Sequence, residues 1–342
     1  RCLSNIKFKN ALERKPQSTP PIWFMRQAGR YHDHYQNLKK SNTFEELCKT
    51  PLLAAETAMG PIEEFDFDVA ILFSDILFPL ESLGMDLTYN PGPVFGSHVS
   101  DQNINDLLIE RNPINSLSFQ GEAIERTLER LPEDKSLIGF VGGPWTLISY
   151  ACGNSKKTEK LSLGNLETTL LNDFILPLLE KNIELQLKAG AETIMIFDSL
   201  AHQLLEKDLS IYLSATFNHL INKFPGKVGY YAKDGIDYSL ILQTIERENI
   251  SIAGLGIDSH EDITPFFNST TKGFVQGNFS EHLLTLPKQE FIREVEPYLE
   301  KMAELSDEEK AGWVCGLGHG VLKTTPQDNV KEFVIRARKI FA

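Results

Sequence analysis

Cysteine is scarce in this sequence. The four present, Cys2, Cys48, Cys152 and Cys315, are scattered and form no C-x-x-C pair. That speaks against a disulfide framework and for free thiols in a reducing compartment. Long apolar runs are missing as well. None approaches the roughly 18 residues a membrane span needs, and Arg1-Cys2-Leu3-Ser4-Asn5 lacks the apolar core of a secretory signal. The expectation is a cytoplasmic protein with no membrane partner. Positive charge is also in short supply: 34 Lys+Arg stand against 47 Asp+Glu, a formal net charge of -13. Nucleic acid and anionic membrane surfaces are thereby disfavoured as partners. There is no H-x-C, H-E-x-x-H or clustered Cys/His ligand set, so no metal is expected. Gly316-Leu317-Gly318-His319-Gly320 does not fit the dinucleotide pattern G-x-G-x-x-G.

What the sequence does hold is a recurring short apolar run. Eight can be read: Ile22–Met25, Val69–Phe73, Leu137–Val141, Thr193–Phe197, Val228–Tyr231, Ile252–Gly256, Gly273–Gln276 and Gly312–Cys315. Near-continuous apolar runs mark strands buried on both faces. Segments of helical period lie between them. The stretch from Phe44 to Met59 follows a possible N-cap, Thr43, and Leu166 to Ala189 ends at Gly190, a good C-cap. Leu209 to Phe224 and Pro326 to Phe341 read the same way. Alternating strand and helix predicts a parallel sheet, and eight strands predict its closure as a single-domain (β/α)8 TIM barrel over residues 1–342. The long gap from Phe73 to Leu137 contains Asn90-Pro91-Gly92-Pro93, read as a surface excursion beside the barrel mouth.

Active sites of such barrels lie at the C-terminal ends of the strands, and polar residues follow nearly every predicted strand. Arg26 and Arg30 flank Gln27, Ala28 and Gly29. On a helical first turn they would share a face, and two guanidiniums suit a substrate with several carboxylates; surface salt bridges are the plain alternative. Asp75 stands between Ile71-Leu72-Phe73 and Ile76-Leu77-Phe78. A carboxylate so placed is desolvated and can stabilise a developing cation, or it can serve as an N-cap or as partner to a buried arginine. Tyr150 and Ser199 are neutral hydrogen-bonding groups at strand ends, or else satisfied polar residues at the core edge. His319 between two glycines can project into a cleft, or simply occupy a turn. Lys233 ends a strand and can form a Schiff base, or face solvent.

At these residues the sequence resembles the uroporphyrinogen decarboxylase family. Pro21-Ile22-Trp23-Phe24-Met25-Arg26-Gln27-Ala28-Gly29-Arg30-Tyr31 is similar to its first signature. Phe73-Ser74-Asp75-Ile76-Leu77, followed by Leu83-Gly84-Met85, resembles the segment with the essential aspartate, and Gly139 to Leu147 resembles the second signature. Phe197-Asp198-Ser199 and Gly318-His319-Gly320 fall in the expected order. The chain departs from the family at His32-Asp33-His34-Tyr35, at Phe279-Ser280 and after Asp258.

The resemblance implies cofactor-independent conversion of the four acetate arms of uroporphyrinogen III to methyls, giving coproporphyrinogen III. It implies Asp75 as the catalytic aspartate, with Arg26 as a carboxylate ligand and possible proton donor. It further implies Arg30, the backbone of Gln27, Ala28 and Gly29, Tyr150, Ser199 and His319 as substrate-binding groups, and a homodimer. Three rivals stay open: a zinc-dependent corrinoid methyltransferase, a Schiff-base aldolase using Lys233, and a tetrapyrrole carrier without turnover.

Overall fold

The computed structural model describes residues 4–107, 112–233, 235–269 and 272–342. Of the cysteines, Cys2 lies outside these residues, while Cys48, Cys152 and Cys315 are free.

Seven parallel strands form one sheet: β1 (Val69–Ile71), β4 (Ser136–Gly142), β5 (Thr193–Asp198), β6 (Val228–Ala232), β7 (Gly254–Gly256), β8 (Phe274–Phe279) and β9 (Trp313–Leu317), each paired to the next. Between β1 and β4 in the chain, β2 (Leu87–Tyr89) and β3 (Pro93–Phe95) make an antiparallel hairpin outside the barrel. Apolar runs produce this sheet because helices and barrel interior bury both faces of each strand. Thr193–Asp198 is buried at every position.

The first predicted strand is present as a thin stave rather than a ladder. Trp23 N–H donates to the Cys315 carbonyl (3.3 Å) and Cys315 N–H to that of Pro21 (2.9 Å). On the other side Asp68 N–H donates to the Ile22 carbonyl (2.9 Å), and the buried Asp68 carboxylate accepts from Ile22 N–H (2.7 Å). Residues 21–23 therefore bridge β9 and β1, and the barrel closes. On the β1 side the side-chain bond from Asp68 stands in for a backbone rung, and on the β9 side Ile22 forms an isolated bridge with Cys315. Asp68 also takes ion pairs from Lys7 (2.6 Å) and Arg338 (2.7 Å), tying both ends of the chain to the N-terminal rim.

Two hydrophobic cores result. The barrel interior holds Trp23, Met25, Val69, Ile138, Met195, Phe197, Tyr231 and Val314, and its bottom is plugged by the helix Ile6–Leu12 through Phe8 and Ala11. A larger core fills the layer between strands and helices.

Three of the four helical readings need correction; the run from Leu209 to Phe224, for one, passes from α-helix into a π turn at Phe217–Ile221. Thr43 caps with a full capping box to Glu46, but the helix it starts, Phe44–Lys49, stops at Thr50 and a second begins at Pro51 and runs to Phe65. Proline biases the residue before it away from helical backbone. The segment ending at Gly190 is split by a π turn at Leu170–Ile175. Pro177 follows that turn and has no N–H to return to the preceding turn.

Candidate active site

The C-terminal ends of the strands converge on one mouth. The first loop there is set by Gln27. Its N–H closes a turn onto the Phe24 carbonyl (3.0 Å). Its buried side chain accepts from Phe24 N–H (3.1 Å) and donates to the Val69 carbonyl on β1 (2.8 Å). The Tyr31 hydroxyl donates to the Gln27 carbonyl (2.6 Å). Gln27 is thus a clamp, with its polar groups committed to the protein. Inside this turn Arg26 takes a left-handed backbone, φ 59°, a conformation that costs a non-glycine residue about 1 kcal/mol. The expected helical first turn is corrected here: residues 25–31 are turns, and helix begins only at Asp33. Arg26 and Arg30 do not share a helical face. Both are exposed, and among the described residues neither forms an ion pair with a carboxylate.

Arg26 reaches the centre of the mouth. Its guanidinium acts on Asp75, Tyr150 and His319 together. Its stem lies on Gly320, where a Cβ would come within 2.5 Å of Arg26 Cδ. Val321 N–H donates to the Met25 carbonyl (2.9 Å), pinning the two loops to each other. Arg30 lies further out, with Tyr35 within its electrostatic reach. Ala28 and Gly29 are partly exposed between the arginines.

Asp75 follows β1. One carboxylate oxygen accepts from Leu77 N–H (2.8 Å), so the residue does cap its own turn. Apolar neighbours desolvate it while the side chain keeps a narrow opening to solvent, and that desolvation raises its pKa above the ordinary aspartate value. The Leu77 N–H, the Tyr89 hydroxyl and the Arg26 guanidinium oppose the rise. Tyr89 comes from β2 in the hairpin. Its hydroxyl faces Asp75 but stops short of bonding geometry, and among the described residues it has no other hydrogen-bond partner. Tyr150, on the helix Pro144–Ala151, faces Asp75 and Arg26. Burial first, then the Asp75 charge, raises its phenol pKa.

Ser199 stands at the end of β5, partly exposed, and its carbonyl engages the His202 ring (3.0 Å). The residue before it, Asp198, is fully buried and accepts from the hydroxyls of Tyr212 (2.5 Å), Tyr230 (2.7 Å) and Thr146 (2.8 Å). Burial raises its pKa, against those hydroxyl bonds. This knot fixes the end of β5 against β6 and against the helix carrying Tyr150. His319 follows β9, with its ring edge-on to Tyr231 (6.4 Å between centroids). Burial first and then Arg26 hold its pKa below the usual histidine value; Glu281 opposes them and Lys233 adds to them. Lys233 is exposed at the end of β6, within electrostatic reach of His202 and His319.

The structure therefore brings Arg26, Asp75, Tyr150 and His319 together, places Ser199 on the adjoining rim, and leaves Arg30 at the periphery. Sequence reading missed three contributors. Tyr89 arrives on a hairpin that folds back to the mouth, and Glu281 stands just past β8. Phe140, Phe197 and Tyr231 floor it with an aromatic series spaced 5.6 and 6.3 Å between ring centroids. Their inward positions on β4, β5 and β6 were the one available signal. Among the described residues no group of three His, Cys, Asp or Glu is placed to hold a metal ion, and no helix is long and apolar enough to cross a membrane.

Comparison with known proteins adds a family. A model described as uroporphyrinogen decarboxylase matches residues 3–340. Uroporphyrinogen decarboxylase of Orientia tsutsugamushi is 33% identical over 339 residues, covering 96% of both chains. That of Citrifermentans bemidjiense is 32% identical over 333 residues, covering 95% of both. Among solved structures, a methyltransferase from Methanosarcina mazei matches with a TM-score of 0.74 at 19% identity over 98% of both chains. A putative vitamin-B12 independent methionine synthase from Listeria monocytogenes matches with a TM-score of 0.54 at 12% identity, over 95% of this chain and 98% of that one. At those identities the likeness to the two structures is one of fold.

Proposed function

Because the chain belongs to the uroporphyrinogen decarboxylase family, we propose that Arg26, Asp75, Tyr150 and His319 form the centre at which it decarboxylates uroporphyrinogen. The protein is an α/β-barrel carboxy-lyase of tetrapyrrole and heme biosynthesis. The reaction takes the four acetate arms of uroporphyrinogen III to methyls and yields coproporphyrinogen III. For each arm the balance is one proton taken up and one CO2 released.

The substrate supplies its own electron sink, so the reading needs no prosthetic group or metal. A proton is added to a pyrrole α-carbon, and the ring becomes cationic. The acetate C–C bond then breaks into that cation, CO2 leaves, and the exocyclic methylene is protonated to methyl as the ring proton departs. Asp75 accepts hydrogen bonds from pyrrole N–H groups and stabilises the ring where positive charge develops. A desolvated carboxylate serves that purpose well, because its field is not damped by water. Arg26 and Arg30 hold substrate carboxylates. Arg26 is also the candidate proton donor, a role that the high pKa of arginine handicaps. Tyr150, Ser199 and His319 hold further carboxylates, and Ala28 and Gly29 offer backbone along the same wall. The buried Gln27 shapes that wall from behind.

The observation that carries this reading is the desolvated Asp75 carboxyl facing Arg26 and Tyr150 above an aromatic floor. Arg26 and Lys233 stand at the mouth, with Arg30 at its edge, as cations available to an acidic substrate. One domain over residues 1–342, a homodimer, a cytoplasmic location and no nucleic-acid partner complete the proposal. Anaerobic incubation with uroporphyrinogen, with products separated by carboxylate count, tests it. Heptacarboxylate and lower species are expected, and their absence would overturn it.

A further inference from the structure

Residues 152–164 join the helix Pro144–Ala151, which follows β4 and carries Tyr150, to the helical segment that begins at Asn165. This stretch is tied to the residues just past β5, at the mouth end of the barrel. The tie is the buried Gln203. Its side chain accepts from the Ser149 hydroxyl (2.7 Å) and donates to the carbonyls of Asn154 (3.2 Å) and Lys157 (2.9 Å). Its own carbonyl accepts from Leu161 N–H (2.7 Å), and Leu205 N–H donates to the Leu161 carbonyl (2.9 Å). Held in this way are Lys156, Lys157 and Lys160, all exposed. The stretch has a single acid, Glu159. That acid lies 3.8 Å from Lys157 in an exposed pair, which is worth little. Lys160 donates to the His202 carbonyl (2.5 Å), a neutral acceptor that leaves its charge uncancelled. Lys156 makes no ion pair with a carboxylate among the described residues.

His202 carries this edge on to β6. Its ring engages the Ser199 carbonyl (3.0 Å), and a Cβ added at Gly235, two residues past Lys233, would lie 3.5 Å from His202 Cβ. Lys160, Ser199 and the loop after Lys233 thus adjoin one another along one side of the mouth. The positive field reaches His202 itself. Burial first, with Lys233 and Lys160 adding to it, lowers its pKa against the Ser199 carbonyl and Asp198.

We propose that Lys156, Lys157, Lys160 and Lys233 form an outer docking edge for the peripheral carboxylates of the substrate, which captures the polyanion and passes it to Arg26 and Asp75. The proposal rests on the reading of the substrate as uroporphyrinogen. Each of its pyrrole rings bears an acetate and a propionate, more carboxylates than Arg26, Arg30, Tyr150, Ser199 and His319 have places for, so some face the rim. In a chain of net charge -13, long-range attraction of a polyanion needs cations concentrated locally. The Gln203 tie keeps three mutually repelling ammonium groups in one place beside the mouth, and an incoming carboxylate relieves that repulsion.

Anaerobic stopped-flow association of uroporphyrinogen, read by tryptophan fluorescence, tests this, with product formation followed in the same samples. The triple variant Lys156→Gln, Lys157→Gln, Lys160→Gln changes exposed side chains only. It is expected to associate about tenfold more slowly at low ionic strength, as for lost electrostatic steering. The difference should close towards 1 M salt, where charges are screened within about 3 Å. Glu159→Gln is expected to associate faster than the wild type. A control triple, Lys9→Gln, Lys15→Gln, Lys339→Gln, makes the same change in net charge at the opposite rim and should associate at the wild-type rate. No slowing, equal slowing in both triple variants, or a loss that persists at 1 M salt overturns the proposal. Salt-sensitive uptake that is lost in the first triple, with no heptacarboxylate formed by the wild type, upholds the docking edge and overturns the decarboxylase reading.

Discussion

Arg26 and Gly320 pack as stem and seat: the arginine side chain crosses the glycine so closely that an added Cβ would lie 2.5 Å from Arg26 Cδ and 3.0 Å from its Nε. This contact joins the loop after the first stave to the loop after β9 and aims the guanidinium at Asp75. Gly320→Ala should displace Arg26 without disturbing the barrel. A displacement near 1 Å at a charged positioning group lowers turnover by about 100-fold. Steady-state kcat/KM, with circular dichroism to verify the fold, checks this. Unaltered kinetics would mean that Arg26 need not be held where it lies.

Asp75 makes a prediction about stability as well as rate. Its pKa in the folded protein is raised above the ordinary 3.8, by desolvation first. The folded state therefore binds this proton more tightly than the unfolded chain does, and stability falls as pH rises through the window above 3.8. Asp75→Asn removes that penalty and keeps an oxygen to accept from Leu77 N–H. Its melting temperature should equal or exceed that of the wild type at neutral pH, with the advantage disappearing towards acid. Paired thermal melts across pH check the sign; a variant less stable at pH 7 and not at pH 3 contradicts it.

Asp198 carries a different expectation. Three buried hydroxyls, those of Tyr212, Tyr230 and Thr146, donate to it. Asp198→Ala strands all of them, and each unsatisfied buried donor costs about 1–3 kcal/mol. Urea unfolding should show a loss of about 3 kcal/mol or more, and any folded fraction should bind substrate weakly because Ser199 and the Tyr150 helix lose their anchor. Asp198→Asn, which keeps two of the acceptor positions at most, should fall between.

The two arginines should separate kinetically. Arg26 touches the electrostatics of Asp75, Tyr150 and His319, whereas Arg30 sits at the exposed edge. Arg26→Ala is expected to lower kcat as well as raise KM. Arg30→Ala is expected chiefly to raise KM, by about tenfold or less, and to weaken its salt dependence, because exposed charges are screened over about 10 Å at 0.1 M salt. Equal losses of kcat in both variants would contradict the assignment of Arg30 to the periphery.

The barrel was legible in the sequence because its strands are buried on both faces. Val69, Ile138, Ile194 and Val228 are apolar for that reason alone. The first stave was legible as an apolar run, although Asp68 supplies part of its pairing through a side chain. The site was legible to the extent that it follows strands in sequence: Asp75, Ser199 and His319 stand just past β1, β5 and β9. What the sequence concealed is tertiary. No glycine announces the left-handed turn at Arg26, since its strain is borne by the Gln27 clamp and the Gly320 seat. Tyr89 reads as a hairpin residue until the chain folds it back to the mouth, whereas Glu281 stands just past β8.

The most direct test compares wild type and Asp75→Asn in anaerobic single turnovers of uroporphyrinogen, with substrate binding measured in the same samples and products resolved by carboxylate count. The wild type should pass through heptacarboxylate to lower species. The variant should bind the substrate and leave it undecarboxylated, because it lacks the charge that stabilises the cationic ring. Full-rate formation of heptacarboxylate by Asp75→Asn would contradict the account.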